Sequence, residues 1–326
     1  MRVIFITGVG GFIGFSLAKF LLENKYLVYG IDSLNDYYSK KFKRLRISRL
    51  NNFENFNFYK SKISSQTISQ IFKKHDKITD IFHLAAQPGV EFSENNKEYS
   101  FINNTVPMLQ IFQNIHLLKK LKSIFVASSS SVYGNHLLNK SLSENQIKKP
   151  TSLYGFSKST LEEMIKLEAQ NNNKINFFCM RFFTVFGPYG RPDMAIFTFV
   201  ENILNKKKIK LYNYGKNYRD FTYIDDLIQM VNSIFINQDK FESNFNIINL
   251  ANGKKLMTIK LVHMIFKILN LQPNILLCPK RKFDVIMTRS SSKKIKKYLP
   301  SDYRPTKTII ALKETIEWYI KNRKKI

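Results

Sequence analysis

Apolar runs and amphipathic stretches alternate along most of the chain. Seven runs rich in Val, Ile, Phe and Leu each resemble a buried strand: RVIFITG, YLVYGID, NFNFYKS, DIFHLAA, SIFVASS, INFFCMR and FNIINLA. Segments between them, such as GFSLAKFLLEN and STLEEMIKLEAQNNN, place apolar residues at helical spacing. Strands that are apolar on both faces and separated by helices are typical of a parallel sheet covered on both sides. The pattern therefore predicts an α/β fold, a Rossmann-type doubly wound parallel sheet with a smaller mixed α/β C-terminal lobe.

The alternation breaks down after about residue 183, where Pro188, Gly190 and Pro192 mark an irregular segment. A helix, a strand near 209–212 and a return to the sheet at 244–250 follow, and the chain closes with the helical pattern TIIALKETIEWYIKNR. We therefore predict two units. A Rossmann domain comprises residues 1–182 plus about 221–251, and a substrate lobe comprises residues 183–220 plus 252–326.

The charge balance is strongly basic, with 52 Lys and Arg against 24 Asp and Glu and a formal charge of +28. Such an excess is a common signature of nucleic-acid binding. The lysines are scattered, however, and the chain has no zinc finger, RNA-binding aromatic motif or long basic arm. We therefore expect no nucleic-acid partner and interpret the charge as compositional bias, with a positive field that attracts an anionic substrate.

Cysteine usage and hydropathy narrow the class of protein further. Cys179 and Cys278 are too few for a disulfide scaffold or a zinc cluster, and both are interpreted as reduced core residues. The opening RVIFITG resembles a strand and not a leader, and no apolar stretch reaches the roughly 18 residues of a membrane span. We expect a soluble, cytoplasmic protein with no metal and no membrane partner.

A glycine-rich stretch, FITGVGGFIGFSLAKFLLE, lies where the first predicted strand meets the first predicted helix. Its glycines recur at three-residue spacing, which allows a tight turn and a close approach of the backbone to a pyrophosphate at the helix N-terminus. Asp32 ends the second strand, where a carboxylate accepts hydrogen bonds from the adenosine ribose and repels a 2′-phosphate. The stretch predicts NAD rather than NADP, against the alternative of a structural turn with a capping Asp. The predicted contacts are Gly8, Gly11, Phe12, Ile13, Gly14 and Asp32.

Tyr154 and Lys158, in SLYGFSKSTLEEM, stand four residues apart at the start of a predicted helix and so share one face. The Lys158 ammonium is expected to stabilise a phenolate on Tyr154 and to lower its pKa from the usual value of about 10. Such a tyrosinate removes a proton from a hydroxyl while hydride leaves the same carbon for NAD. The alternative is an ordinary surface Tyr–Lys pair.

With the glycine turn, this pair resembles the extended short-chain dehydrogenase/reductase superfamily, and Ser129 in FVASSSSVYG matches its catalytic Ser or Thr. In the nucleotide-sugar 4,6-dehydratases of that superfamily the stretch is similar to T-D-E-V-Y-G, and related decarboxylases keep the Glu. Ser130 and Ser131 hold those positions here. Hydroxyls do not serve as general acid or base near neutral pH as carboxyls do, so elimination is disfavoured and the oxidation and reduction of a 4-epimerase remain.

Four motifs carry a closer resemblance: HLAAQPGV, ASSSSVYG, RFFTVFGPYGRPDMA and YNYGKNYRDFTYIDD. Together they resemble the UDP-glucuronate 4-epimerase branch of the NAD-dependent epimerase/dehydratase family, from residue 1 to about 235. Besides the residues above, the resemblance implies cofactor contacts at Ile63, Ala85, Ala86 and Asn103. The implied substrate contacts are Ser129, Ser130, Ser131, Thr184, Arg191, Tyr212, Arg219, Arg281 and Asp284.

The arginines in this set have distinct implied roles. Arg191 would bind a uronate carboxylate or the diphosphate, since a guanidinium group matches both bidentately. Arg219 and Arg281 would hold the diphosphate, Tyr212 would lie against the uracil, and Asp284 would contact a ribose. The alternative for each arginine is an ordinary surface charge.

Several positions depart from the family pattern. Lys62 replaces the usual Asp that contacts adenine, so adenine recognition is expected from the backbone of Ile63. Glu91 stands where uronate epimerases typically carry Arg, and its charge would repel a carboxylate substrate if it faced the sugar. Pro107 replaces a helix glycine and Ser291 a downstream Asp.

We therefore predict NAD-dependent 4-epimerisation of a UDP-hexose, with UDP-glucuronate to UDP-galacturonate as the leading assignment, through a transient 4-keto sugar. The alternatives are a UDP-glucose or UDP-N-acetylglucosamine 4-epimerase, as Glu91 suggests, and reduction of a 4-keto sugar. A non-catalytic dinucleotide-binding protein with a basic surface for RNA or membranes is a third. The resemblance also implies a homodimer, formed through the helix that begins at Tyr154 and the helix near 104–118.

Overall fold

The computed structural model describes residues 2–135, 140–281 and 285–325. Thirteen strands form within these ranges: β1 Val3–Thr7, β2 Leu27–Asp32, β3 Phe56–Lys60, β4 Asp80–His83, β5 Ser123–Ser129, β6 Asn176–Phe182, β7 Thr184–Phe186, β8 Ile209–Leu211, β9 Tyr218–Arg219, β10 Phe221–Tyr223, β11 Phe245–Leu250, β12 Leu256–Met257 and β13 Ile275–Leu277. The same ranges contain eleven α-helices: α1 Phe12–Glu23, α2 Lys40–Leu50, α3 Ser65–Lys74, α4 Val90–Asn95, α5 Lys97–Phe112, α6 Leu153–Asn171, α7 Ala195–Leu204, α8 Ile224–Ile236, α9 Thr258–Leu269, α10 Lys293–Lys296 and α11 Thr308–Asn322.

The seven predicted strands form one sheet in the order β11-β6-β5-β4-β1-β2-β3, and every pairing in it is parallel. Every residue of β1, β4 and β5 is buried, because helices cover both faces and leave no polar side to the strands. The predicted doubly wound fold is confirmed. The connection from β1 runs towards β2 and β3, whereas β4 lies on the other side of β1, so a crevice opens at the carboxyl ends of β1 and β4.

Helix α6 carries two of the predicted catalytic residues, and a local signal sets where it begins. The Ser152 hydroxyl accepts a hydrogen bond from the backbone N–H of Gly155 at 3.1 Å, which caps the helix just before Tyr154. Leu161, Ile165 and Ala169 then face the core beside the sheet. Helix α5 packs along α6 and begins earlier than the predicted 104–118, at Lys97.

Outside the main sheet, three two-stranded sheets pair β10 with β7, β12 with β9 and β13 with β8. The strand predicted near 209–212 is confirmed as β8. Cys179 is buried in the core as expected, but Cys278 is partly exposed just after the edge strand β13, so the prediction of two core cysteines is wrong for Cys278. Within the described ranges no helix is both long and apolar enough to cross a membrane.

Candidate functional site

A cleft of about 580 Å³ opens at the carboxyl ends of the central strands, where the sheet topology places it. Every residue predicted to contact the cofactor lines this cleft: Gly8, Gly11, Phe12, Ile13, Gly14, Asp32, Ile63, Ala85, Ala86, Asn103, Tyr154 and Lys158. Of the predicted substrate contacts, Ser129, Thr184 and Arg191 also line it. The predicted cofactor and chemistry residues therefore share one cavity.

The glycine turn between β1 and α1 is compact enough to exclude any side chain. A Cβ at Gly14 would lie 2.2 Å from the Gly8 carbonyl oxygen, and a Cβ at Gly8 would lie 2.7 Å from the backbone nitrogen of Ala85. Gly8 also has a φ of +74°, which L side chains rarely adopt. The backbone of the turn is therefore open to close approach by a pyrophosphate at the N-terminus of α1.

Asp32 closes the adenosine end of the cleft. Its carboxylate accepts hydrogen bonds from the backbone N–H groups of Gly10, at 2.9 Å, and of Leu34, at 2.7 Å. These bonds fix the carboxylate beside the glycine turn, where the sequence places a ribose contact. Lys43 lies near it, and burial lowers the pKa of Lys43 to about 8 against the opposing effect of the Asp32 charge. Lys62 lines the same end, next to Ile63.

Ser129, Tyr154 and Lys158 come together from two elements, the end of β5 and the first turns of α6. The Lys158 ammonium is buried and donates a hydrogen bond to the Ala127 carbonyl at 2.9 Å. Burial lowers the pKa of Lys158 to about 8. The Ser129 hydroxyl acts on Tyr154 and lowers the pKa of its phenol. Ser129 Oγ donates to Ser131 Oγ at 3.1 Å and accepts from the Ser131 backbone N–H at 3.1 Å.

The pKa of Tyr154 corrects one expectation. Burial raises it above the usual value, and the opposing effects come from the Arg191 charge and the Ser129 hydrogen bond. The expected lowering of this pKa by Lys158 is wrong for the protein alone, because the ammonium is directed to the Ala127 carbonyl. Arg191 is the positive charge that acts on the phenol.

Arg191 is held in the cleft by neighbours that the sequence analysis did not single out. Its guanidinium binds the Asp193 carboxylate bidentately, from Nε to Oδ1 at 3.0 Å and from Nη2 to Oδ2 at 2.6 Å. The Tyr37 hydroxyl donates to the same carboxylate at 3.2 Å, and the guanidinium carbon lies 5.6 Å from the centre of the Tyr37 ring. Asp193 lies two residues after Arg191 in GRPDM, and Tyr37 lies in the polar aromatic loop NDYY just after β2; these two stretches are the sequence signals that could have identified them.

Other predicted substrate residues lie outside the cleft lining. Ser130 and Ser131 form a 3₁₀ turn after β5, and Arg219 lies in β9, where its Nη1 donates to the Tyr218 carbonyl at 2.9 Å. Arg281 lies 4.4 Å from the ring centre of Tyr212, so these two predicted nucleotide contacts are neighbours. Asp284 lies outside the described residues.

The structure places Glu91 beside Arg281, one of the predicted substrate contacts. It lies in α4 outside the cleft lining, its side chain is 83% exposed, and its Oε2 is 3.5 Å from Arg281 Nη1. The expectation that its charge opposes a carboxylate substrate if it faces the sugar stays a prediction.

Comparisons with known proteins agree with the fold and show the family. Residues 4–251 match the model of the NAD dependent epimerase/dehydratase family, a match over more than half of the chain. The chain belongs to that family. The UDP-glucuronate 4-epimerase of Thermodesulfobacterium geofontis is 32% identical to this family member, over 97% of this chain and 96% of its relative.

Solved structures of the family superpose closely on this member. The UDP-glucuronic acid 4-epimerase of Bacillus cereus, solved in complex with UDP-glucuronic acid and NAD, has a TM-score of 0.89 and 27% identity. That alignment covers 98% of this chain and 99% of the other. The same enzyme in complex with NAD alone aligns with a TM-score of 0.85 and 28% identity, over 98% and 97% of the two chains.

Proposed function

We propose that this family member is an NAD-dependent 4-epimerase that interconverts UDP-glucuronate and UDP-galacturonate through a transient 4-keto sugar. One observation carries the choice of reaction. Among the described residues that line the cleft, Asp32 is the only carboxylic acid. Its carboxylate accepts a hydrogen bond from the backbone N–H of Gly10 in the glycine turn. Elimination of water needs a carboxyl acid and base beside the sugar, whereas epimerisation needs only the Tyr, Lys and Ser set.

The described residues that line the cleft match the chemical groups of NAD. The glycine turn leaves its backbone free of side chains, and Asp32 stands where it accepts hydrogen bonds from ribose hydroxyls and disfavours a 2′-phosphate. Ala85, Ala86 and Asn103 line the cleft between that turn and Tyr154. When bound, NAD supplies the acceptor and then the donor of the hydride at carbon 4 of the sugar.

Tyr154 acts as the base that removes the proton of the 4-hydroxyl and later returns it. The Arg191 charge and the Ser129 hydroxyl both lower the pKa of Tyr154 and so favour the phenolate against the cost of burial. Lys158, fixed on the Ala127 carbonyl, supplies a further charge at the floor of the site. The keto sugar presents its other face to the returning hydride, so the configuration at carbon 4 inverts with no net redox change.

A uronate is favoured over a neutral hexose by the charge of the cleft. Lys43, Lys62, Lys158 and Arg191 line it, against the Asp32 carboxylate in the lining and the Asp193 carboxylate that Arg191 binds. Thr184 and Ser129 supply hydroxyls in the same cleft as Arg191, which the resemblance implies would bind the uronate carboxylate or the diphosphate. Residues 183–220 and 252–326 are proposed to form the nucleotide-sugar lobe, with Tyr212 on the uracil. Arg219 and Arg281 would hold the diphosphate, while Ser130, Ser131 and Asp284 complete the proposed substrate contacts.

Turnover of a panel of UDP-sugars tests this proposal directly. Purified protein is expected to interconvert UDP-glucuronate and UDP-galacturonate without added reductant, as followed by mass spectrometry and chromatography of the products. UDP-glucose and UDP-N-acetylglucosamine are expected to react more slowly. Tyr154→Phe is expected to abolish turnover; wild-type activity in that variant would refute the mechanism, and a need for stoichiometric reductant would indicate a reductase.

The helices α5 and α6 present an apolar surface that supports the expected homodimer. Ile102 and Leu109 on α5, and Phe156 and Leu167 on α6, are each more than 40% exposed. Surfaces of this kind on adjacent helices mark interfaces between chains. We propose that α5 and α6 pack against the same two helices of a second copy of this chain. Leu167→Glu is expected to reduce the molar mass measured by light scattering from that of a dimer to that of a monomer. The cytoplasmic location stays a prediction, and the resemblance, which includes capsule and lipopolysaccharide enzymes, implies a role in polysaccharide biosynthesis.

A further inference from the structure

A buried ion pair lies behind the four consecutive serines Ser128–Ser131, called here the serine run. Glu162 on α6 and Arg181 on β6 are each 1% exposed, and they bind bidentately, from Nε to Oε1 at 2.8 Å and from Nη2 to Oε2 at 2.7 Å. Lys148 Nζ lies 3.4 Å from Glu162 Oε2 at the edge of the pair. The mechanism proposed above uses none of these groups.

The pair holds both ends of the serine run. At the first end, the Ser128 hydroxyl donates to Glu162 Oε1 at 2.5 Å. At the second end, Arg181 Nη1 donates to the Tyr133 hydroxyl at 2.8 Å, and the guanidinium carbon lies 4.7 Å from the centre of the Tyr133 ring. Ser129, Ser130 and Ser131 lie between these two attachment points.

Helix α6 also holds Ala127, the residue that precedes Ser128. Glu162 lies one turn after Lys158 on α6, and the Lys158 ammonium binds the carbonyl of Ala127, which precedes Ser128. The end of β5 is thus attached to α6 at two consecutive residues, by a backbone carbonyl and by a hydroxyl. Tyr154 stands on α6 and Ser129 on β5, so these attachments set the distance between the two.

We propose that the Glu162–Arg181 pair is a positioning device that clamps the serine run at Ser128 and Tyr133 and so holds Ser129 against Tyr154. This inference rests on the proposed function for the importance of Ser129, and it adds Glu162 and Arg181, which lie outside the cleft lining. A hydroxyl held by a packed second layer of bonds keeps the geometry that proton transfer requires. A displacement of about 1 Å costs up to about a hundred-fold in rate.

Two mild variants loosen the clamp without leaving a lone buried charge. In Ser128→Ala, Glu162 Oε1 still accepts from Arg181 Nε at 2.8 Å. In Tyr133→Phe, Arg181 Nη1 still donates to the Glu144 carbonyl at 3.2 Å. Ser123→Ala is the matched control, because Ser123 is a buried serine at the opposite end of β5 that hydrogen-bonds to Gln238.

The ionisation of Tyr154 gives a readout that a merely structural role would not move. Tyr154 is faced by Ser129 from β5, by Arg191 from the segment after β7 and by Tyr37 from the loop after β2, with Lys158 on its own helix. Of these, only the Ser129 bond depends directly on the clamp. Loss of that bond raises the pKa of Tyr154, because the bond favours the phenolate.

The experiment measures the pKa of Tyr154 in NAD-loaded protein by following tyrosinate absorbance as the pH rises. For each protein, the absorbance of the same protein with the added substitution Tyr154→Phe is subtracted, so that only Tyr154 contributes to the difference. Ser128→Ala and Tyr133→Phe are expected to raise this pKa and to lower kcat about ten- to a hundred-fold. Ser128→Thr, which keeps the hydroxyl, is expected to restore both, and Ser123→Ala to leave both unchanged. The inference would be overturned if the pKa of Tyr154 in Ser128→Ala and in Tyr133→Phe equalled its value in Ser123→Ala, even if kcat fell in the first two variants. The titration needs no turnover, so absence of epimerase activity would count only against the proposed function.

Discussion

Replacement of the buried lysine Lys158 by methionine is expected to stabilise the protein while it abolishes activity. Lys158 is 1% exposed, and burial lowers the pKa of its ammonium to about 8 from an ordinary 10.5, against raising effects from Cys179 and Glu162. Its one hydrogen bond from Nζ goes to the Ala127 carbonyl. The charge that the chemistry uses is therefore held at a cost in folding free energy.

The size of that cost follows from the pKa. A shift from 10.5 to about 8 corresponds to about 3 kcal/mol, at about 1.4 kcal/mol for each pKa unit. Methionine fills a similar volume without a charge, but it leaves the Ala127 carbonyl without its donor, which costs about 1 kcal/mol. The Lys158→Met variant is thus expected to be more stable than the wild type by about 2 kcal/mol near pH 7.

The pH dependence provides the sharper test. Below about pH 8 the lysine is protonated in both the folded and the unfolded state, so the folded state bears the full cost. Between about 8 and 10.5 the folded state loses its proton first, the unfolded state binds more protons, and wild-type stability rises with pH. The advantage of the methionine variant is therefore expected to shrink by about 2 kcal/mol between about pH 7 and about pH 9.5.

Urea denaturation of both proteins, freed of bound nucleotide, measures this difference at the two pH values. All other titrating groups are common to the two proteins and cancel in the comparison. A methionine variant less stable than the wild type near pH 7, or a gap independent of pH, would show that the lysine is not buried at an electrostatic cost and would refute the reasoning.

Two further variants test the cofactor turn and the charge beside the base. Gly14→Ala places a Cβ 2.2 Å from the Gly8 carbonyl oxygen, and overpacking of about 1–3 kcal/mol is expected to weaken NADH binding about ten- to a hundred-fold in a fluorescence titration. Asp193→Asn leaves the Arg191 charge less neutralised. Because that charge lowers the pKa of Tyr154, the acid limb of the kcat profile is expected to move about one pH unit lower.

Each of these two predictions has a control. Gly11→Ala places its Cβ 3.0 Å from the same carbonyl oxygen, at a φ of −75°, and is expected to weaken binding less than Gly14→Ala. Equal losses in the two variants would contradict the steric argument. The control for the charge argument is Tyr37→Phe, which removes a hydrogen bond to Asp193 but no charge. The charge argument would be contradicted if the acid limb of the kcat profile moved as far in Tyr37→Phe as in Asp193→Asn.

The seven strands of the sheet were predictable because each is rich in Val, Ile, Phe or Leu, and the fully buried strands β1, β4 and β5 require such residues whatever their neighbours are. The start of α6 was predictable for a similar local reason, since Ser152 caps the helix that carries Tyr154. The glycine turn is also local: its spacing within a strand, turn and helix unit fixes a backbone that only glycine permits. Helix α5 was placed too late along the chain because Lys97–Ser100 give no apolar signal for the start of a helix.

The sequence by itself therefore determined the strands of the sheet, the glycine turn and the candidate reactive side chains, since each depends on residues close together in the chain. Only the tertiary structure decided the position of Glu91 outside the cleft, the bond from Lys158 to Ala127 and the raised pKa of Tyr154. It also decided that Glu162 and Arg181 meet behind the serine run. These features depend on burial and on contacts between distant segments, and no spacing along a single chain encodes how far a charge lies from water.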